Sequence, residues 1–157
     1  MKQRNMTSIY LRYQNKILML YREGSRVANH LWISSAGGHM ENEELNDAQS
    51  CILRELEEEL HLKVEDLVNF QMKYVTLRHT NDEIRVIYYF FAEVADLVEI
   101  VSNEGKLQWF SLEEINDLPM PIIAKKMLEH YIAVGQFDSQ LYAGIMKNQD
   151  MTVSPLL

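Results

Sequence analysis

The sequence predicts an α/β fold, a mixed β-sheet with a helix on each face. Three observations carry that prediction. The run V-I-Y-Y-F-F-A at residues 86–92 is apolar on both faces of a strand, as a central strand covered on both sides must be. A segment ending near Leu60 places Ile52, Leu53, Leu56 and Leu60 along one helical stripe. A second helical pattern over 122–134 carries Ile123, Met127, Ile132 and Val134, with Lys125, Lys126 and Glu129 between them.

Taken in order, residues 8–12 and 16–21 are rich in β-branched, aromatic and aliphatic side chains and flank Gln14-Asn15, which reads as a hairpin. Residues 22–30 form a polar surface loop whose Arg22 and Arg26 are candidates to meet phosphates, and 31–34 is a short extended piece leading into Gly37-Gly38. The glycine pair is expected to make a tight turn and to let backbone approach a ligand. Asn46 or Asp47 caps the following helix, with Asn46 and Gln49 at capping-box spacing. Residues 67–78 alternate as one strand or two, and 80–82 turn into the central strand, 85–94.

After a loop over 96–105 that carries Glu99 and Glu104, residues 107–110 form another strand. Ser111 and Glu114 have the spacing of a capping box, opening a short helix that Pro119-Met120-Pro121 ends before the second long helix. Residues 141–145 are expected as an edge strand or packed tail, and 147–157 as a loosely ordered tail of a single domain spanning 1–157.

Composition narrows the function. A chain of 157 residues can bury roughly 68–70% of its unfolded surface as one domain. Its net charge of -8 and lack of a basic stripe argue against a nucleic-acid polymer as partner. A small phosphorylated substrate stays admissible, because a divalent cation bridges two anionic partners. Cys51 is the single cysteine, so neither an intrachain disulfide nor a thiolate zinc cluster is available, and a reducing compartment, the cytoplasm, is expected. No signal-peptide core is seen, and the apolar run 86–92 is far too short to cross a bilayer. A homodimer is compatible with all of this.

The chemistry concentrates in residues 37–62, which read G-G-H-M-E-N-E-E-L-N-D-A-Q-S-C-I-L-R-E-L-E-E-E-L-H-L. At ~100° per residue, Glu55, Glu58 and Glu59 share a quarter to a third of the helix circumference. Such neighbours repel by roughly a few tenths of a kcal/mol per pair, and they lie near the helix C-terminus, where the macrodipole disfavours anions. A cation offsets that cost. Grouped carboxylate oxygens suit Mg²⁺ or Mn²⁺, which keep several waters and complete their coordination with substrate phosphates. Arg54 sits beside the cluster, placed to orient a carboxylate, and Cys51 lies one turn before Glu55 as a buried, inert thiol.

Taken alone, E-L-E-E-E-L reads as a solvated helix face. Joined to the glycine pair and the acidic loop, it resembles the Nudix box, the signature of hydrolases that cleave a nucleoside diphosphate linked to another group. Arg54, Glu55, Leu56, Glu58, Glu59 and Leu62 match that pattern, and Glu44 stands at the family's distance from Gly38. Two departures are visible: the spacer from Glu44 to Arg54 is longer by two residues, predicting an extended loop, and His61 replaces the last glycine at a helix end where a left-handed conformation is common.

The resemblance implies an α/β/α sandwich and hydrolysis by water attack at phosphorus. It implies Mg²⁺ or Mn²⁺ held by the side chains of Glu55, Glu58 and Glu59 and the carbonyl of Gly38, with Arg54 among the catalytic residues and Glu104 the candidate outer ligand or base. ADP-sugar hydrolases of the family often carry a proline downstream of the box. None occurs here before Pro119, which favours a nucleoside triphosphate or another nucleotide derivative as small-molecule substrate. Trp32, Tyr74 and Trp109 are candidates to stack on a base, with the core as their alternative place. The rival readings are a Nudix-like nucleotide sensor without turnover and an acidic interaction module.

Overall fold

In the computed structural model, which describes residues 1–24, 29–96 and 99–157, nine strands join in one mixed sheet. Strands β1 (Lys2–Tyr13) and β2 (Lys16–Arg22) form the expected hairpin about Gln14, whose φ is 52°. Strand β6 (Glu83–Val94) runs parallel to β1 and antiparallel to β5 (Leu67–Thr80), so the doubly apolar run is indeed interior to the sheet. Strand β5 is one strand with two register irregularities.

β1 and β2 stay paired only from Leu11 and Leu18 to the hairpin end. Strands β3 (Leu31–Ile33) and β4 (Ala36–His39) enter the fork between them, β3 pairing with β2 and β4 with β1. The buried Ser35 hydroxyl fastens the apex, donating to the Leu18 carbonyl at 2.6 Å and accepting from the Leu11 N–H at 3.0 Å. Strand β7 (Lys106–Ser111) covers the other edge of β2.

Alternation along the strands divides two cores. Ile9, Leu11, Leu18, Phe90 and Ala92 face helix α1 (Ala48–Leu60), which contributes Ala48, Ile52, Leu56 and Leu60. Tyr10, Ile17, Met19, Tyr89 and Phe91 face the opposite way, toward α3 (Ile122–Ala133) with Ile123, Met127, Leu128 and Tyr131. The short helix α2 (Leu112–Ile115) opens with the capping box predicted at Ser111 and Glu114.

Two expectations are corrected. Residues 147–157 are not a loose tail: β9 (Asp150–Leu156) pairs antiparallel with β8 (Leu141–Lys147), which itself pairs in parallel with β5. The edge is therefore β9, and β8 is interior. Lys73 helps to lock this addition, its fully buried ammonium reaching the Asp138 carboxylate at 2.7 Å and the Asp138 carbonyl at 2.6 Å. The glycine pair is not a tight turn but part of strand β4. The lengthened loop that follows winds into a 3-10 turn over Asn42–Glu44 before α1. Of the two cap candidates, Asp47 caps α1, its carboxylate accepting from the Ser50 N–H at 3.1 Å.

Candidate active site

The register of α1 decides what meets the fork. With Cys51, Ile52, Leu56 and Leu60 buried against the sheet, the flank carrying Arg54, Glu55 and Glu59 turns toward β4. Glu57 is exposed on the far side. The helix stops at His61, left-handed with φ 58° and ψ 31°, whose N–H reaches the Glu57 carbonyl at 3.0 Å.

Arg54 is the hub. Its Nε and Nη2 donate to the two carboxylate oxygens of Glu44 at 2.8 and 2.9 Å, while Nη1 donates to Glu55 at 3.0 Å and to Glu58 at 3.3 Å. Nη2 also lies 3.4 Å from the His39 carbonyl, which ties α1 to the end of β4. Glu44 is buried, and the Arg54 guanidinium holds its carboxyl down at about 2; Arg54 in turn is pushed further above its ordinary range by Glu44. Sequence reasoning placed Glu44 at a family distance but missed its work as the anchor of Arg54, which only the returning 3-10 turn makes possible.

Glu59 takes a different partner. Its carboxylate accepts the Gly37 N–H at 3.0 Å, and burial, only partly opposed by that bond, pushes its pKa up to about 7. Burial also raises Glu55, against the pull of Arg54. The glycines are explained by close approach: a Cβ on Gly37 would strike the Thr7 carbonyl oxygen of β1, and one on Gly38 would strike the Glu55 carboxylate. Glu104 stands at the rim, ion-paired with Arg22 at 3.0 Å. Arg26 lies outside the described residues.

Gly37, Gly38, Arg54, Glu55, Glu59 and Glu104 border a cavity of about 920 Å³ on the α3 side of the sheet, and Glu58 lies outside its lining. Its wall is acidic at Glu55, Glu59 and Glu104, and its floor is formed by Met6, Ser8, Tyr10, Ile87 and Tyr89 under Ile122 and Ile123. None of the three aromatics considered from sequence lines it. Tyr74 is fully buried, stacked on Tyr142, Trp32 packs edge-on against Phe110, and Trp109 packs on the α1 side. Cys51 is buried beside Thr7 at 3.2 Å, its thiol pushed up to about 11 by burial, as an inert thiol should be.

The donor set suits a hard divalent cation in kind: carboxylate oxygens of Glu55, Glu58 and Glu59, with β4 backbone held against Glu55 by a residue without a Cβ. Among the described residues no three or more His, Cys, Asp or Glu side chains are gathered closely enough to hold a metal ion by themselves.

Residues 1–131 match the family model of the NUDIX domain. No curated protein matches the chain. Among solved structures, the fold is similar to that of a mutator MutT protein from Bacillus halodurans, at TM-score 0.72 and 20% identity over 97% of each chain. It is also similar to the dihydroneopterin triphosphate pyrophosphohydrolase of E. coli, at TM-score 0.65 and 19% identity over 83% of this chain and 94% of that one. A third likeness is to the NUDIX domain of Shewanella oneidensis NrtR, solved with ADP ribose, at TM-score 0.66 and 16% identity over 88% and 90% of the two chains.

Proposed function

The chain belongs to the Nudix family, and on that premise we propose that it is a divalent-metal-dependent hydrolase of a diphosphate linkage in a nucleoside triphosphate or other nucleoside diphosphate derivative. One observation carries the reading: Glu55 and Glu59, on one flank of α1, stand at the wall of a large cavity, held by Arg54 and by the Gly37 N–H, with Glu58 joined to the same Arg54 just outside it. Glu55, Glu58, Glu59 and the Gly38 carbonyl would hold Mg²⁺ or Mn²⁺. The cation would neutralise non-bridging phosphate oxygens and make an attacking water more acidic.

The protein's own part is positional. Glu44 fixes Arg54, and Arg54 fixes the carboxylates of Glu55 and Glu58 before substrate arrives. Glu104 and Arg22 close the rim as candidate outer base and phosphate contact. The nucleoside would lie over the apolar floor between Tyr10, Tyr89 and Ile122.

The test is turnover of a nucleotide panel with Mg²⁺, reading phosphate and pyrophosphate release. Hydrolysis of at least one member, abolished by excess EDTA, is expected. Full activity in EDTA would refute the metal role, and tight binding without turnover would replace the enzyme by a nucleotide sensor.

A further inference from the structure

Three arginines stand side by side across the sheet. Arg4 of β1 is in register with Arg85 of β6, and Arg85 with Arg78 of β5. Residues opposite one another on adjacent strands project from the same face, and all three of these line the cavity, at the end away from the β1–β2 hairpin. Like charges placed directly opposite destabilise a sheet. In a chain of net charge -8, such a row calls for an anion.

Glu83 supplies part of the compensation, at 2.7 Å from Arg85 and 3.5 Å from Arg4. Arg4 also meets the His39 ring at 2.9 Å. Arg78 makes no ion pair among the described residues. Three guanidiniums against one carboxylate leave a net charge of +2. A phosphate monoester, with a charge of about −1.5 to −2 at neutral pH, matches that excess better than a single carboxylate does.

Position separates this row from the acidic wall. Thr7 pairs with Gly38, and Arg4 lies three residues further along β1, about 10 Å away at the rise of an extended strand. Between them Met6 and Ile87, paired in register, present an apolar step.

We propose that Arg4, Arg85 and Arg78 form a second anion subsite of the cavity, and that the substrate is a nucleoside diphosphate conjugate bearing a phosphate monoester about 10 Å from the scissile linkage. The substrate class rests on the hydrolase reading above. The subsite itself does not.

Two measurements keep these apart. In EDTA, without turnover, calorimetry compares adenosine with adenosine 2′-monophosphate at millimolar concentrations. The phosphate is expected to tighten binding by about tenfold in the wild type, and the gain to shrink below about threefold in Arg78→Gln and in Arg85→Gln while Arg78→Lys keeps part of it. Equal binding of the two ligands by the wild type, or no detectable binding of the phosphate, overturns the subsite whatever the variants do. With Mg²⁺, kcat/KM is then compared for reduced nicotinamide dinucleotide with and without its 2′-phosphate. A higher value for the phosphorylated member is expected, and a ratio of one or less in an enzyme that turns both over overturns the substrate class. If neither is hydrolysed but the first measurement holds, the hydrolase reading loses support and the anion subsite stands.

Discussion

Arg54 grips both carboxylate oxygens of Glu44, through Nε at 2.8 Å and Nη2 at 2.9 Å, across ten residues of sequence. The pairing is bidentate and its carboxylate is buried, so it fixes the guanidinium plane from which Nη1 reaches Glu55 and Glu58. Removing the charge from Glu44 therefore acts on both stability and site geometry. Glu44→Gln is expected to cost about 2 kcal/mol in urea unfolding at pH 7, because it leaves Arg54 without its main counter-charge.

The same pair sets an acid limit. Arg54 holds the Glu44 carboxyl at about 2 against an ordinary 4.5, so between those values the folded protein binds fewer protons than the unfolded chain. Its contribution is complete above about pH 4.5 and is lost as pH falls toward 2. Urea midpoints at pH 3 and 7 should thus differ less in Glu44→Gln than in the wild type.

Glu59 works with the opposite sign. With its folded pKa raised from 4.5 to about 7, the neutral acid is favoured by the fold, and that stability is present below about 4.5 and lost as pH rises through 7. In EDTA, Glu59→Gln should raise the Tm at pH 8 and leave it nearly unchanged at pH 4. Hydrolysis by the same variant is expected to fall sharply, separating what the carboxylate does for function from what it costs the apo fold.

The two glycines should fail differently. An alanine methyl at Gly37 meets the rigid Thr7 carbonyl of β1, so Gly37→Ala is expected to destabilise by about 2 kcal/mol or more. At Gly38 the methyl meets the end of the Glu55 side chain, which can move. Gly38→Ala should keep most of the urea stability and lose turnover by roughly tenfold or more, through displacement of Glu55.

Glu58 is largely exposed, so Glu58→Gln should change stability by no more than about 0.5 kcal/mol while lowering kcat by roughly two orders of magnitude. Glu57→Gln, on the exposed face, is the control. A comparable loss of kcat at Glu57 would contradict the assigned flank of α1.

His61 tests the helix end. Its φ of 58° puts a Cβ-bearing residue in the left-handed region, so His61→Gly should relieve strain while increasing the entropy of the unfolded chain. The urea midpoint is expected to stay level or rise, by at most about 1 kcal/mol of stability. A clear fall would show that the glycine entropy cost exceeds the strain.

The sequence by itself determined the central strand, both long helices, the end of α1 at His61 and the flank carrying Glu55, Glu58 and Glu59. These depend on side-chain periodicity and on local caps, which are written in neighbouring residues. Tertiary structure alone decided that Gly37 and Gly38 are strand residues admitting β1 and Glu55, that Glu44 returns to anchor Arg54, and that Tyr10 and Tyr89 rather than Trp32 or Trp109 face the cavity. It also decided that 150–156 joins the sheet, and that Arg4, Arg78 and Arg85 meet in one row. Strand register and the pairing of distant charges come from contacts between residues dozens of positions apart. No local pattern encodes them, because a shift of one residue would send every one of those side chains to the other face.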